Sequence, residues 1–230
     1  MVYLLNTDFL YSDNVFEYRL SQVSECRRKK VERLQLRKSK NLCLGAGLLI
    51  NEGLSLFGLS EKDALLSFGE NGKPYFSSHR NIFFNISHSG NMAACVFSDK
   101  EIGLDIEKVD VPDFKVAEKY FTENEKKYIQ HHPSPVLRNQ AFYKIWTLKE
   151  SFVKATGKGL SVPFYDFEIT VDKNISISQT FTDKKYYFKV FEIDGLIVSV
   201  CSENKACGNV TVINADSLSP PPKRDFETGY

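Results

Sequence analysis

The sequence has few of the features that mark membrane proteins or proteins that coat nucleic acids. Its longest strongly apolar run, residues 42–50, is too short to span a bilayer, and Asp8 interrupts the apolar core that a signal peptide would need. The formal net charge is +1, which argues against a chain that binds nucleic acid or a membrane surface along its whole length. We therefore expect a cytoplasmic protein that binds neither nucleic acid nor membranes.

Cysteine is also scarce. The five cysteines are odd in number, include no Cys-x-x-Cys pair and lie mostly in apolar surroundings: Cys26, Cys43, Cys95, Cys201 and Cys207. This pattern predicts reduced core thiols and no zinc site. By contrast, 42% hydrophobic and 13% aromatic residues in a chain of 230 suffice for one large domain or two modest ones.

A short acidic strand is the first candidate for chemistry. In residues 102–107, aliphatic side chains alternate with Gly103, Asp105 and Glu107, the period-two pattern of a half-buried strand. The two carboxylates therefore face the same way, with α-carbons roughly 7 Å apart. Like charges this close repel unless a cation neutralises them, and hard oxygen ligands suit magnesium. Taken alone, however, an Asp-x-Glu strand is more often a solvated outer face.

A helical segment supplies a third carboxylate. Glu150 and Lys154 are four residues apart, so they share one face of a helix, with Trp146 one turn before Glu150. Such a pair is usually an ordinary surface contact. The same stretch also contains Lys149, a second cation that could balance negative charge.

A basic segment precedes these motifs. Residues 27–40 contain eight basic side chains and one acid, Glu32. Small and apolar residues at a spacing of three or four predict a helix with one buried stripe, interrupted at Lys38. Lysine-rich helix faces usually only increase solubility, although a phosphate-bearing ligand would need several cations of this kind.

Local signals place the remaining elements. Residues 81–86 and 92–97 are predicted strands that flank a polar turn at residues 87–90, which contains His88. A lone histidine in a turn is more often structural, but neighbouring hydroxyl and backbone donors suit a phosphate. Thr122 and Glu125 form a capping-box pattern that starts a helix, which Pro133 and Pro135 should end. A long helix is expected over residues 141–156, closed by the glycine that follows it.

Several motifs stand in an order that resembles the 4′-phosphopantetheinyl transferase superfamily. The signature is the Asp-x-Glu strand followed by Trp-x-x-Lys-Glu-Ser-x-x-Lys, and the resemblance is anchored over residues 72–163 and more loosely over 27–45. Further matching segments are residues 72–74 (Gly-Lys-Pro), 85–90 (Asn-Ile-Ser-His-Ser-Gly), 121–125 (Phe-Thr-Glu-Asn-Glu) and 157–160 (Gly-Lys-Gly-Leu). The chain is similar to the long, surfactin-synthetase-activating subtype rather than the short acyl-carrier-protein synthase subtype, which must trimerise.

The resemblance implies an α+β fold made of two similar halves related by a pseudo-twofold axis, with the ligand cleft between them. The expected division is an N-terminal half over residues 1–110, a C-terminal half over 111–213 and a loose tail over 214–230. A faint echo between residues 94–100 and 198–204, each a strand followed by a polar turn, agrees with two related halves.

The resemblance also implies roles for individual residues. Asp105, Glu107 and Glu150 are the expected magnesium ligands, and Glu150 is also the expected base. Asp105 and Lys154 complete the catalytic group. The residues expected to contact coenzyme A are Lys29, Arg33, Lys73, Pro74, Ser87, His88 and Lys154.

The implied reaction is the transfer of 4′-phosphopantetheine from coenzyme A to a serine of an apo acyl or peptidyl carrier protein by a monomeric enzyme. Two alternatives remain open: a different magnesium-dependent phosphodiester or nucleotide chemistry, and a non-catalytic module that binds coenzyme A or RNA. A carboxylate triad beside the phosphates favours an enzyme, because a polyanion binder has no reason to gather acids there. The sequence does not distinguish fatty-acid, polyketide, nonribosomal-peptide and lysine-biosynthetic carriers.

Overall fold

The structure is a computed structural model that describes residues 1–205 and 208–218, apart from the side chain of Leu160. Within these ranges the strands, in chain order, are β1 (Val2–Asn6), β2 (Leu66–Phe68), β3 (Pro74–Phe76), β4 (Phe83–Ser89), β5 (Met92–Ser98), β6 (Ile102–Lys108), β7 (Glu168–Val171), β8 (Ile175–Ser178), β9 (Tyr187–Ile193), β10 (Leu196–Ser202) and β11 (Val210–Val212). The α-helices are α1 (Asp13–Gln22), α2 (Glu25–Arg33), α3 (Arg37–Ser55), α4 (Glu61–Ala64), α5 (Lys115–Tyr120), α6 (Glu123–Gln130) and α7 (Pro135–Thr156). None of the helices in these ranges is both long and apolar enough to cross a membrane.

Two main sheets, each packed against one long helix, organise the chain. The first has the strand order β11-β1-β5-β4 and packs against α3. The second has the order β6-β10-β9 and packs against α7. Each helix buries an apolar core with its own sheet, and a third apolar cluster joins β1 and β5 to β6 and β10.

The two halves repeat one arrangement. The order β1-β5-β4 in the first sheet corresponds to β6-β10-β9 in the second, and all these neighbours are antiparallel. In each half a long helix precedes a hairpin, so α3 corresponds to α7. The echo between residues 94–100 and 198–204 falls on the equivalent strands β5 and β10. The predicted α+β fold with two similar halves is confirmed.

The sheets place β6 and β11 differently from the expected division of the chain. β6 lies within residues 1–110 but pairs with β10 in the second sheet. β11 lies within residues 111–213 but pairs in parallel with β1 in the first sheet. The physical reason is that β6 is the counterpart of β1, so the second repeat begins directly after β5. Only β11 returns to the first sheet, where Val210 packs against the apolar cluster between the sheets.

The packed chain also continues beyond the predicted start of the tail. Leu218 is buried in the first core, and Arg19 donates a hydrogen bond to the carbonyl of Ala215 at 3.0 Å. Residues 219–230, which form most of the predicted tail, lie outside the described residues.

Helix boundaries differ from the prediction at two places. The basic segment forms two helices, α2 and α3, separated by residues 34–36. Arg37 anchors the start of α3 by donating to the carbonyl of Leu10 at 2.7 Å and by stacking over Phe16 at 4.2 Å. Pro135 begins α7 instead of ending a helix, because the first helical position needs no N–H donor.

The cysteines partly follow the prediction. Cys95 and Cys201 are buried and Cys43 is half-buried, but Cys26 is exposed on α2. Cys207 lies outside the described residues. Burial raises the pKa of the Cys95 thiol well above its ordinary value, which keeps it protonated.

Candidate functional site

The candidate site lies where the two halves meet, between β4 of the first and β6 and α7 of the second. Asp105 on β6 is buried, with 4% of its surface exposed, and Glu107 is half-buried. The strand is covered on both faces, which corrects the expectation of a half-buried strand. Its apolar residues join the central cluster, and α7 covers the side that carries Asp105.

Gly103 allows α7 to approach β6 closely. A Cβ at this position would collide with the backbone oxygen of Ser151 and the backbone nitrogen of Ala155. Because glycine lacks that atom, the helix backbone rests directly on the strand. This contact brings the face of α7 that carries Lys154 against Asp105, two residues along the strand.

The signature residues of α7 converge with the acidic strand as predicted. Trp146, Glu150 and Lys154, at a spacing of four, border a cavity of about 370 Å³. The other residues lining this cavity are Ala46, Ile86, Ser87, His88, Asp105 and Glu107. Three carboxylates and one ammonium group thus surround one space between the halves.

Lys154 is the cation nearest to Asp105. Its Nζ lies 2.6 Å from Oδ1 of Asp105 and donates to Oγ of Ser87 at 3.1 Å. Ser87 itself donates to the same Asp105 oxygen at 2.9 Å. Ser87, which the sequence assigned to coenzyme A, therefore contacts a carboxylate and the lysine in this structure.

The surroundings of Glu150 and Glu107 disfavour the charged form of each carboxyl, so both pKa values are raised. Burial raises the pKa of Glu150, and the charge of Asp105 raises it further, while Lys154 opposes both effects. Burial likewise raises the pKa of Glu107, partly offset by a hydrogen bond from Ser89. A cation bound in the cavity would relieve both of these penalties.

The donors fit a magnesium ion in their chemistry. Oδ2 of Asp105 is buried and has no hydrogen-bond partner among the described residues, which is costly unless something pairs with it. Carboxylate oxygens are the ligands that magnesium prefers. However, no three His, Cys, Asp or Glu side chains in the described ranges are gathered closely enough to form a ready metal cluster. In this structure the ammonium of Lys154 is the cation beside Asp105.

A second cavity extends the site along the interface between the halves. It measures about 260 Å³ and shares Ile86, Glu150 and Lys154 with the first. Lys73 and Pro74, which the resemblance assigns to coenzyme A, border it. The Nζ of Lys73 is held 2.5 Å from Oε2 of Glu101 and donates to the carbonyl of Ala155 at 3.0 Å.

The predicted phosphate contacts are placed unequally. His88 is exposed and borders the first cavity, but it lies on β4, not in a turn, because that strand continues to Ser89. Lys29 and Arg33 are exposed on α2 and border neither of the two cavities. Lys29 instead pairs with Glu25 on its own helix at 2.6 Å.

Two basic residues of the motifs are structural. Lys149 is fully buried, 2.6 Å from Oε1 of Glu125 and 2.8 Å from the carbonyl of Phe167, so it does not face the cavities. Burial lowers its pKa, and Glu125 opposes that effect. Arg27, the first basic residue of its segment, is buried in an ion pair with Glu61. Neither residue can balance the charge of a ligand in the cleft.

Comparisons with known proteins show which family the chain belongs to. A family model described as the 4′-phosphopantetheinyl transferase superfamily matches residues 101–201. The chain is 31% identical over 205 residues to the 4′-phosphopantetheinyl transferase ffp of Bacillus subtilis, covering 86% of this chain and 91% of that protein. It is 30% identical to Sfp of Bacillus subtilis strain 168, covering 87% and 91%. It is 31% identical to gsp of Aneurinibacillus migulanus, covering 86% and 84%.

The chain belongs to the 4′-phosphopantetheinyl transferase superfamily. Within that class it is similar over most of its length to the Sfp-like relatives, which confirms the long subtype and the class of enzyme predicted from the motifs.

Proposed function

We propose that the protein transfers the 4′-phosphopantetheine moiety of coenzyme A to a serine of an apo acyl or peptidyl carrier protein, with release of adenosine 3′,5′-bisphosphate. The observation that carries this proposal is the cavity between the halves, which brings Asp105, Glu107 and Glu150 together with Lys154. The relatives named as 4′-phosphopantetheinyl transferases support the same reaction.

The proposed reaction is a displacement at the β-phosphorus of coenzyme A. The serine oxygen of the carrier forms a bond to that phosphorus, and the bond from the phosphorus to the oxygen bridging to the α-phosphate breaks. Glu150 accepts the serine proton, directly or through water. The electron pair of the broken bond leaves with adenosine 3′,5′-bisphosphate.

Asp105, Glu107 and Glu150 are the residues that would hold a magnesium ion. When bound, this ion neutralises charge on the pyrophosphate. Lys154 adds a second positive charge beside the same phosphates. The same lysine pairs with Asp105, which keeps that buried carboxylate from being unpaired.

The nucleotide end of coenzyme A is proposed to extend from the first cavity into the second. Lys73 and Pro74 line the second cavity, and His88 borders the first. His88 is assigned to the 3′-phosphate because the family resemblance implies that role, and its exposed side chain leaves it accessible to such a group. Lys29 and Arg33 are proposed to approach the same phosphate from α2, which requires Lys29 to exchange its contact with Glu25.

Assembly, location and partners complete the proposal. Both cavities are lined by residues from both halves of one chain, which supports an active monomer. We also propose a cytoplasmic protein without nucleic-acid or membrane partners, and the net charge of only +1 supports the lack of such partners.

Intact mass spectrometry of carrier proteins tests this function. The protein, coenzyme A and magnesium are incubated with a panel of apo carriers, and a matched reaction contains each carrier with its acceptor serine replaced by alanine. We expect a gain of one phosphopantetheine only on carriers that retain the serine. Coenzyme A binding without any mass gain across a broad panel would favour the non-catalytic module, and coenzyme A cleavage without a carrier would favour other phosphodiester chemistry.

A further inference from the structure

The two sheets meet along a seam of side-chain hydrogen bonds. β4 is the edge of the first sheet and β6 the edge of the second, and in the described part of the chain these strands share no backbone ladder. Alternate side chains of β4 bridge the gap instead. Oδ1 of Asn85 accepts from the backbone N–H of Leu104 at 3.0 Å, and Ser87 donates to Asp105 at 2.9 Å.

Ser89 makes the last contact of this seam. Its Oγ donates to Oε2 of Glu107 at 2.7 Å and accepts from the backbone N–H of Lys108 at 3.0 Å. The hydroxyl is therefore fixed from both sides, because the acceptor role orients the oxygen and leaves its proton directed at the carboxylate.

Glu107 needs such a partner more than Asp105 does. The side chain of Glu107 has one more rotatable bond than that of Asp105. Asp105 also forms an ion pair with Lys154, whereas the described contacts include no ion pair of Glu107. Without a fixed donor, a half-buried glutamate beside another carboxylate would turn towards solvent. The contact with Ser89 holds one oxygen of Glu107 on β4 and leaves the other available to the cavity.

We propose that Ser89 is a positioning residue that holds Glu107 in the orientation in which it binds the divalent cation. This inference rests on the proposed function, because it assumes that Glu107 is a metal ligand. Ser89 touches neither substrate nor metal in this account. It acts through Glu107, as hydrogen-bonded partners of metal ligands commonly do, and loss of such partners typically lowers metal affinity by about 10-fold to 100-fold.

Direct metal binding in the absence of coenzyme A and carrier tests the role of Ser89. Mn²⁺ is the probe, because it prefers the same oxygen ligands and its free concentration can be followed by electron paramagnetic resonance. Ser89→Ala should weaken Mn²⁺ binding by about 10-fold. Ser89→Thr, which keeps the hydroxyl, should remain close to wild type, and Ser89→Cys, whose thiol is a weak donor, should fall between them.

Ser98→Ala is the matched control. The Oγ of Ser98 also donates to an acid, Asp99, and accepts a backbone N–H, from Lys100, but these contacts lie at the end of β5, away from the two cavities. This variant should bind Mn²⁺ as wild type does. Thermal melting of each variant separates a local effect from unfolding, and the Thr and Cys variants preserve the comparison if the alanine variant melts early.

The outcomes separate this inference from the proposed function. Wild-type Mn²⁺ affinity in Ser89→Ala, or an equal loss in Ser89→Thr, would overturn the positioning role while carrier modification by the wild-type protein still supported the transferase. Absence of measurable Mn²⁺ binding in the wild-type protein would also overturn it. Failure of the wild-type protein to modify any carrier would overturn the proposed function, whatever the Mn²⁺ result.

Discussion

Asp105 and Glu150 are the side chains on which the proposed chemistry depends most. Asp105→Asn and Glu150→Gln each remove one negative charge while keeping the size of the side chain. We expect turnover to fall by about 100-fold to 10,000-fold in each variant, since one loses a cation ligand and the other the base. Asp99→Asn, on an exposed turn outside the site, is the control and should keep its turnover. Near-wild-type turnover in either site variant, measured as carrier modified per minute, would contradict the assignment.

The raised pKa of Glu150 predicts a pH dependence. In the metal-free protein, burial and the charge of Asp105 raise the pKa of Glu150 above its ordinary 4.5, so this carboxyl should titrate above pH 4.5. Magnesium held by the same carboxylates should lower that pKa, because a bound cation favours the charged form. The measurement is an NMR titration of the Glu150 carboxyl with and without magnesium, with circular dichroism to verify folding at each pH. A midpoint at or below pH 4.5 without metal, or one that magnesium leaves unchanged, would contradict this environment for Glu150.

His88 should affect binding of coenzyme A more than bond breaking. His88→Ala should raise KM for coenzyme A with little change in kcat, because its proposed partner is the 3′-phosphate at the far end of the substrate. The variant should also lose most of the preference for coenzyme A over dephospho-coenzyme A. His131→Ala, an exposed histidine on the end of α6, serves as the control. An unchanged preference in His88→Ala would exclude this role.

Individual residues differed in how far the sequence could place them. The spacing of Trp146, Glu150 and Lys154 predicted one helix face, and these three residues do share a cavity. Lys149 could not be placed in this way. Adjacent helical residues point about 100° apart, and only the tertiary partner Glu125 shows which direction is the interior. The sequence analysis gave no role to Ser89. Asn85, Ser87 and Ser89 are spaced two residues apart, and this period could have indicated that the strand continues to Ser89.

The contact between α7 and β6 is the element-scale feature that assembles the site. Gly103→Ala would place a methyl group against the backbone of α7, which cannot yield as a flexible side chain could. We expect the free energy of unfolding to decrease by about 3 kcal/mol, with a loss of activity as the helix moves off the strand. Gly69→Ala, whose Cβ would meet only an ordinary contact with the Lys73 carbonyl at 3.7 Å, is the control. Denaturant unfolding that showed no destabilisation in Gly103→Ala would contradict the close approach.

The helix ends that the sequence predicted correctly are marked by residues at those ends. Thr122 and Glu125 form the capping box that begins α6, and the glycine after Thr156 closes α7 in a left-handed conformation. The break between α2 and α3 has no such signal. It depends on Arg37 reaching Leu10, a contact between segments that are far apart in the sequence. Local patterns therefore predicted helix ends, whereas tertiary contacts decided where the basic segment divides.

At the scale of the whole molecule, the pairing of β6 with β10 brings the acidic strand and α7 into the same half. The family resemblance predicted two halves with a boundary at residue 110, but hydrogen-bond pairing between distant strands leaves no local pattern that could place that boundary. Asp105 and Glu107 precede that point in the chain and yet lie in the same sheet as β10. The cleft takes its three carboxylates from the second half, and β4 of the first half adds Ser87 and His88.

The stoichiometry of a single reaction tests the central claim most directly. An apo carrier, coenzyme A and magnesium are mixed with the protein, and the mass of the carrier and the adenosine 3′,5′-bisphosphate released are measured in the same samples. The account predicts one bisphosphate for every carrier that gains one phosphopantetheine, and none when the carrier serine is replaced by alanine. Bisphosphate release that proceeds without a carrier serine, or coenzyme A that binds and is never cleaved, would contradict it.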